Sequence, residues 1–558
     1  MLIKQNLNLL LILILISTIL FANDSESYSQ SDDSSARESK SNIAPIAINS
    51  SKNLLASKAP NASKLALAQE TQSNTETTES SDGTQFGMGA GIGSVTINGE
   101  IYNHISLRPE LTMGKLGIGL DIYFYMDENG KIREEDWDEF SDYLKKIYYI
   151  RWGEQGDPFF LKAGALEQVT LGYGILMDGY TNTAQYPQER KVGIHTGMKM
   201  DNIGWEAFLA DINEITGPGL LGGRVTYQPL DKIGLEIGGT LVMDFDPYQG
   251  LNDDDNDGVA NSIDMYKNTD DNALIDSIGN ALTPSQRELF RDAGINIPDS
   301  SILKNGQPTI DDLERKPAGA YALDIGLPVF ENKIFKIDIY SQYAQFLPTD
   351  RYYYKDSTKK FTPGWGYSFP GVQANILDFI TAKVEYRFAN KHFLFNFWDR
   401  NYDFQRTHIW HNQTTGIKNI YTKQQVELYQ NRVLRGVYGL LRADLFNLLT
   451  LESRYQHMAA SSYQIKSFQT TAYLNPRHIP KLAEARAFYQ RNNDENPFDF
   501  ANPSSNTLLG YRIGLEMGQG AVLYYVFQKS YQDINGNGSI EPSNEAITIN
   551  TIETGIKF

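Results

Sequence analysis

From Phe86 onward, this chain is built from segments of about ten residues in which apolar and polar side chains alternate. One segment places Leu116, Ile118, Leu120, Ile122, Phe124 and Met126 between Gly117, Gly119, Asp121, Tyr123 and Tyr125. Successive side chains of a β-strand point to opposite faces, so this pattern predicts a strand with one apolar face. The preceding segment, 101–111, alternates in the same way, and Met113-Gly114-Lys115 between the two predicts a hairpin turn.

The same construction recurs along most of the chain. Further alternating segments are Gly193 to Asp211, Gly222 to Phe245, Ala320 to Phe346, Thr381 to Phe397, Val433 to His457, Tyr463 to Tyr473 and Leu508 to Lys529. Together they predict an antiparallel all-β protein of about 16 to 20 strands. A mean hydropathy of −0.40 excludes a membrane protein of many helices.

The composition is rich in aromatic residues and glycine, with 33 Tyr, 27 Phe and 46 Gly. A transmembrane barrel explains aromatic residues without high hydropathy, because every second residue of its strands is polar while aromatic side chains collect at the two membrane interfaces. A large soluble sandwich or propeller is the alternative. The net charge of −18 argues against nucleic acid as a partner.

The last segment of the chain alternates too and ends on an aromatic residue. One face carries Ala546, Thr548, Asn550, Ile552, Thr554, Ile556 and Phe558. This ending resembles the final strand of bacterial outer-membrane β-barrels. The resemblance implies contact with outer-membrane lipid and reading of the terminal Phe558 by the barrel-insertion machinery, in a Gram-negative-type bacterium. Whether the barrel forms oligomers stays open.

The other end of the chain predicts export. Residues 1–22 combine Lys4 with a short apolar run and read as a signal peptide, with an uncleaved anchor as the alternative. Residues 23–83 are rich in Ser, Asn and Thr and predict a disordered leader. The barrel would then span 84–558, with 247–317 as a long acidic loop on the cell surface.

Charged residues occupy the polar face of many predicted strands. They are Arg108, Glu110, Asp121, Lys336, Asp338, Lys383, Glu385, Arg387, Arg442, Asp444, Glu452, Arg454, Arg512 and Glu516. A charge on the lipid face costs about 2 to 4 kcal/mol for Arg or Lys at midplane, so these side chains are predicted to line a water-filled lumen. The pattern resembles general porins, which implies a passive channel for small hydrophilic solutes. The alternative is a structural or adhesive barrel whose charges pair and close the lumen.

Two segments interrupt the strand pattern. Lys131 to Ile147 spaces its apolar residues as a short amphipathic loop helix does. Gly172 to Gly179, with the sequence GYGILMDG, matches no known motif and is a candidate for an inward-folded segment that narrows the pore.

The long acidic loop holds the sharpest local motif, with carboxylates at alternate positions around a glycine. Its spacing resembles thrombospondin type 3 calcium repeats. The resemblance implies Ca²⁺ ligands at Asp253, Asp255, Asp257, Asp264 and the Val259 carbonyl, with Asn261 where Asp is usual. A solvated acidic loop is the alternative.

A second candidate calcium loop resembles the first part of an EF-hand and comprises Asp533, Asn535, Asn537 and Ser539. Its twelfth position is Asn544, with Glu545 one place late, so weak or absent Ca²⁺ binding is expected there.

An outer-membrane hydrolase is the remaining class. The histidines that such an enzyme would use are His104, His195, His392, His408, His411, His457 and His478. None lies in a recognisable nucleophile motif, so a protein that is not an enzyme is predicted.

Overall fold

The computed structural model describes residues 85–556 apart from 98–99, 167, 184–189, 213–218, 231–232, 250, 252–312, 314–315, 349–362, 378, 412–417, 428–431, 447, 462, 477–478, 505, 519–520, 532–539, 541 and 543–545. All of these residues belong to the compact unit Ile46–Phe558. No helix among them is long and apolar enough to cross a membrane.

Strands make up most of the described chain. They are β1 (Gln85–Ile97), β2 (Glu100–Met113), β3 (Leu116–Leu120), β4 (Ile122–Met126), β5 (Ile147–Trp152), β6 (Phe159–Gly164), β7 (Met177–Asp178), β8 (Gly193–Met200), β9 (Ile203–Leu209), β10 (Leu220–Leu230), β11 (Leu235–Asp244), β12 (Ala318–Glu331), β13 (Phe335–Phe346), β14 (Trp365–Ile376), β15 (Ile380–Ala389), β16 (Trp398–Asp399), β17 (Thr407–His411), β18 (Lys418–Thr422), β19 (Leu434–Leu445), β20 (Leu449–Ala460), β21 (Tyr463–Leu474), β22 (Leu482–Asp494), β23 (Thr507–Gly518), β24 (Ala521–Tyr531) and β25 (Ala546–Ile556).

One antiparallel sheet closes on itself to form a barrel. Each wall strand pairs with the next along the chain, and β1 pairs with β25 at Gly91 and Gly555, so the ring has no free edge. β3 and β4 are two halves of one wall strand, because both pair with β2 and only Asp121 separates them. The wall therefore has 20 strands, which confirms the predicted all-β barrel.

The connections differ in length at the two ends of the barrel. At one end, called the short-turn end, consecutive strands are joined by short turns such as 201–202 and 332–334, and the longest spans 475–481. The opposite end, called the long-loop end, carries the connections 245–317, 347–364 and 390–433. The C-terminal residues of β25 lie at the short-turn end, beside the start of β24.

The wall separates an apolar outer face from a polar inner face. Arg224, Asp324 and Glu385 are buried, whereas the next residues along the same strands, Val225, Ile325 and Tyr386, are exposed. Other exposed apolar side chains on the outside are Ile237, Leu241, Leu323, Val384, Val437, Leu441, Ile513 and Leu515. A closed antiparallel wall with an apolar exterior is the arrangement of a transmembrane β-barrel.

Within the described residues, helices are short and lie in the connections between strands. They are α1 (Phe140–Leu144), α2 (Tyr402–Gln405) and α3 (Lys423–Glu427), with a 3-10 turn at Glu134–Asp136. The predicted loop helix is thus present as α1 but is shorter than 131–147. Trp137 stacks on Phe124 at 5.0 Å between ring centroids, which bends the chain back onto β4 before α1 begins.

The predicted hairpins are confirmed, with one exception. β8 and β9, β10 and β11, β12 and β13, β19 and β20, and β23 and β24 pair as their alternation indicates. The predicted strand Thr381 to Phe397 is wrong beyond Ala389, where β15 ends. His392 has a positive φ of 67°, and the apolar residues that follow it leave the wall and enter the barrel.

Candidate functional site

Two connections fold into the lumen instead of covering the barrel from outside. The first inward segment, 165–183, follows β6, and the second inward segment, 390–402, follows β15. They meet in a short parallel pair between β7 and β16, where Met177 lies beside Trp398. The two segments therefore form a single body inside the barrel, which we call the plug.

The plug has an apolar core that packs against the inner face of the wall. Leu176, Met177, Phe397 and Trp398 are fully buried in this core. The wall contributes small or apolar residues, among them Leu220, Val242, Ala320, Ala322, Ala344, Phe346 and Ala389. Most strands from β10 to β15 contribute such a residue, so this side of the lumen is sealed by side-chain packing.

The GYGILMDG sequence forms the tip of the first inward segment. Gly172, Gly174 and Gly179 have positive φ values of 62°, 89° and 70°, a conformation that side chains with a Cβ rarely adopt. The turns they allow carry Tyr173 onto the ring of Tyr340, with 3.9 Å between ring centroids. Gly326 leaves the space that the Tyr173 hydroxyl occupies against β12.

A buried ion pair on β15 supports the plug. Glu385 and Arg387 are both fully buried, and Arg387 Nε donates to Glu385 Oε2 at 2.8 Å. The Tyr340 hydroxyl donates to the same carboxylate at 2.7 Å. Arg387 Nη1 also donates to Asn396 Oδ1 of the second inward segment at 2.7 Å and to Gln456 Oε1 of β20 at 2.6 Å.

A second ionic cluster anchors the plug near the long-loop end. The Tyr402 hydroxyl donates to Asp244 Oδ2 at 2.6 Å, and Arg406 Nε lies 3.2 Å from the same carboxylate. Asp403 accepts from Lys191 Nζ at 3.0 Å. Because these groups come from β11, from the connection before β8 and from the connection that contains α2, the cluster ties three parts of the chain together.

On the side of β19 to β22, the plug packs on Leu434, Met458 and Ile465 of the wall, but part of this side is not filled. A polar cleft remains there, which we call the lumenal cleft. It is lined by Asp178, Leu394, Phe395, Asn396, Asp399, Lys423, Tyr438, Arg454, Tyr455, Gln456, Ser467, Gln469, Asn492 and Asn493. The lining thus combines carboxylates, cations, amides and aromatic rings.

The charges of the lumenal cleft are paired within it. Arg454 Nη1 lies 3.2 Å from Asp178 Oδ2, and its Nη2 lies 2.8 Å from Glu452 Oε1. Lys423 Nζ lies 3.8 Å from Asp399 Oδ1. The Tyr438 hydroxyl donates to Asp178 Oδ2 at 3.2 Å. Each cation thus faces a carboxylate, and the cleft offers donors and acceptors without a large excess of either charge.

The predicted lumen residues all lie on the inner face but in different environments. Asp121, Lys383, Glu385, Arg387 and Arg512 are buried, and Asp121 accepts from Arg190 at 2.8 Å and from Arg108 at 3.2 Å. Arg512 pairs with Glu484 at 3.0 Å. Nearer the short-turn end, Lys336 and Glu516 are exposed, and the side chains of Arg442 and Asp444 are partly exposed. Asp338, Glu110, Glu452 and Arg454 are intermediate.

The charged inner faces predicted water inside the barrel, and the structure shows that a plug occupies part of this interior. The lumen is open near the short-turn end and is filled by the plug farther in. The reason is that charged side chains on the inner face of β15 and β10 contact the plug. Arg387 of β15 donates to Asn396. Arg224 of β10 forms an ion pair with Asp324 and lies against Gly172.

The sequence did not indicate the amide residues of the lumenal cleft. Gln456 has the same strand parity as Arg454, so alternation alone could have placed it on the inner face. Gln469 and Ser467 alternate on β21 in the same manner. Asn492 lies on a strand that the sequence pattern did not predict.

Both predicted calcium loops lie outside the described residues, as do the signal peptide and the leader. The calcium sites thus remain sequence predictions. Within the described ranges, no cluster of His, Cys, Asp or Glu has the form of a metal site. His195 is paired with Glu206 at 2.7 Å on neighbouring wall strands.

No family model and no curated protein sequence matches this chain. Among solved structures, it is similar to OccAB4 of Acinetobacter baumannii, with 9% identity, 85% of this chain and 97% of that chain covered, and a TM-score of 0.27. It is similar to OpdQ of Pseudomonas aeruginosa, with 10% identity, coverage of 85% and 96%, and a TM-score of 0.28.

A third similar structure is Wzi of Escherichia coli, described as an outer-membrane, carbohydrate-binding β-barrel, with 11% identity, coverage of 85% and 84%, and a TM-score of 0.27. These values are too low to support an inference about function. The closed wall and its apolar exterior are those of a barrel that crosses a membrane, in agreement with the predicted outer-membrane location.

Lys146 lies in the connection between β4 and β5 and packs on Tyr123 of β4, so its ionisation tests how this connection packs on the wall. Its ammonium lies 3.4 Å from the centre of the Tyr123 ring and 4.3 Å from that of Trp137. Burial lowers the pKa of Lys146 from 10.5 to about 8, and the charge of Arg190 acts in the same direction. The unfolded chain therefore binds the proton more tightly than the folded protein between these two values.

We expect the stability of the wild type, relative to Lys146→Met, to increase as the pH is raised from about 8 towards 10.5. Urea unfolding of both proteins in detergent across this range measures the difference. Lys199→Met, at an exposed position, is the control and should show no such trend. A relative stability that falls with pH would contradict the assignment.

Proposed function

We propose that this protein is a solute-selective channel of the outer membrane, in which small hydrophilic solutes pass along the lumenal cleft. The observation that carries the proposal is the asymmetry of the plug. Apolar packing closes the side of β10 to β15, whereas the side of β19 to β22 combines a smaller apolar contact with a cleft that has polar walls. Polar side chains are costly to bury without partners, and a path for hydrated solutes requires them.

The open region near the short-turn end supports the same proposal. Lys336, Glu516, Arg442 and Asp444 face this region and remain accessible. A solute entering from the short-turn end meets charged side chains of both signs before it reaches the plug. Passage is then decided by the narrow lumenal cleft and not by the barrel diameter, which distinguishes this channel from a wide general pore.

A closed structural or adhesive barrel is the second candidate. The observation that favours it is the pairing of charges in a filled interior, above all the buried Glu385 and Arg387. In that case, the lumenal cleft would be a gap in the packing that does not conduct. The two candidates differ in whether ions cross the folded barrel.

Cysteine accessibility distinguishes the two candidates, because the natural chain contains no cysteine. We expect Gln469→Cys to form stable channels in planar bilayers whose conductance drops when a cationic methanethiosulfonate reagent is added. Gln469 faces the cleft, so the reagent would add bulk and charge to the path.

Ala322→Cys is the matched control, since Ala322 also faces inward but is buried against the sealed side of the plug. Its conductance should not respond to the reagent. A correctly folded wild-type barrel that never conducts would favour the closed barrel. A response at position 322 without one at 469 would place the path on the other side of the plug.

A further inference from the structure

We infer that the lumenal cleft is a binding subsite for an uncharged, polyhydroxylated solute, such as a small sugar. This inference rests on the proposed function, because it names the class of solute that the channel would select. Three properties of the cleft lining carry it: the pairing of its charges, its amide side chains and its aromatic rings.

The first property is the charge balance of the cleft. Arg454 is held between Asp178 and Glu452, and Lys423 faces Asp399. A solute carrying net charge would have to compete with these pairs for one partner and leave the other uncompensated, which is costly where bulk water does not screen the charge. A neutral solute avoids this cost.

The second property is the set of amide side chains. Gln469 Nε2 donates to Asn492 Oδ1 at 3.0 Å, which joins β21 to β22 and fixes the orientation of both amides along the cleft wall. Each amide has donor and acceptor capacity beyond this single bond. Hydroxyl groups both donate and accept, so a polyol can satisfy paired amides and ion-paired carboxylates in one arrangement.

The third property is the aromatic surface of the cleft, and a further amide, Gln490, lies beside the lining residue Gln469. Gln490 lies opposite Gln469 in the β21–β22 register, and its buried Nε2 has no hydrogen-bond partner among the described residues. Buried amide donors are normally hydrogen-bonded. A ligand oxygen beside Gln490 would supply the acceptor that its Nε2 lacks. The Phe395 and Tyr438 rings also line the cleft and offer apolar surface to the C–H groups of a sugar ring.

The test uses the refolded full-length chain, with maltose as the neutral probe and glutamate and lysine as charged probes. Calorimetry in detergent measures binding without requiring conduction. In planar bilayers, the same solutes are added to a conducting channel, and block of the ion current is recorded. We expect maltose to bind and to block, and the charged probes to do neither at equal concentration.

The Gln469→Ala change should weaken maltose binding about tenfold, as loss of a hydrogen-bonding amide does. Thr471→Ala is the control, since Thr471 is the next inward residue of β21 but does not line the cleft, and its affinity should be unchanged. Binding of maltose to a barrel that never conducts would support the subsite while rejecting the channel. A conducting channel that binds glutamate or lysine in preference to maltose, or binds none of them, would overturn the inference. Equal loss of maltose binding in both variants would also overturn it.

Discussion

Replacing residues 171–179 with a short Gly-Ser linker should raise the single-channel conductance severalfold. These residues include the GYGILMDG tip, and the structure places Tyr173, Ile175 and Met177 of this stretch inside the barrel. Their removal takes one strand of the β7–β16 pair and much of the apolar core from the lumen. Because a wall of 20 strands encloses a wide interior, the emptied region should fill with water and conduct.

Planar-bilayer recording of the variant beside the wild type measures this change. A variant with a Gly-Ser replacement of residues 332–334, which form a turn at the short-turn end, controls for the effect of the linker itself. Circular dichroism and the heat-dependent shift of barrel mobility on gels establish that the wall has formed. An intact variant barrel with wild-type conductance would show that the plug does not restrict the path.

Changing Arg387 to Ala should lower the free energy of unfolding by about 3 to 5 kcal/mol, the range for removing one partner of a buried ion pair. The change leaves the fully buried Glu385 without its guanidinium partner. It also removes the donor to Asn396 and Gln456, so the contact between β15, β20 and the plug is lost. The Arg387 guanidinium further packs on the Tyr438 ring, 3.8 Å from its centre.

Arg442→Ala is the matched control, because Arg442 also faces inward but its side chain is 39% exposed. An exposed pair contributes up to about 1 kcal/mol, so the loss at this position should be much smaller. Urea titration of the folded barrel in lipid vesicles, monitored by tryptophan fluorescence, compares the two. Equal losses at 387 and 442 would mean that the buried pair does not support the plug.

The alternation of apolar and polar residues predicted most of the wall strands, because neighbouring residues alone determine where such a strand lies and which face is apolar. The apolar positions of 116–126 and the turn before them are visible in neighbouring residues, and they fix both the strand and its outer face. Strand β14 was not predicted. Pro370 and Gly371 coincide with a register shift near its middle, which breaks the period of two.

The plug was harder to predict, since its partners are distant in sequence. Its glycines signal sharp turns, but nothing local shows that Tyr173 stacks on Tyr340 or that Asp178 faces Arg454. For the same reason, the polar faces of the strands predicted a lumen but not which charges face water. Burial of Glu385 depends on a segment that approaches it through space, which no alternation of β15 reveals.

The position of the plug along the chain sets the order in which the protein can assemble. The first inward segment precedes most of the wall that holds it: Ile175 bonds to Gln342, 167 residues later, and Asp178 accepts from Tyr438, 260 residues later. Contacts this distant in sequence form late, after the intervening strands are in place. We therefore expect the first inward segment to stay unpacked until β19 and β20 are added, since Tyr438 and Arg454 on these strands are the partners of Asp178.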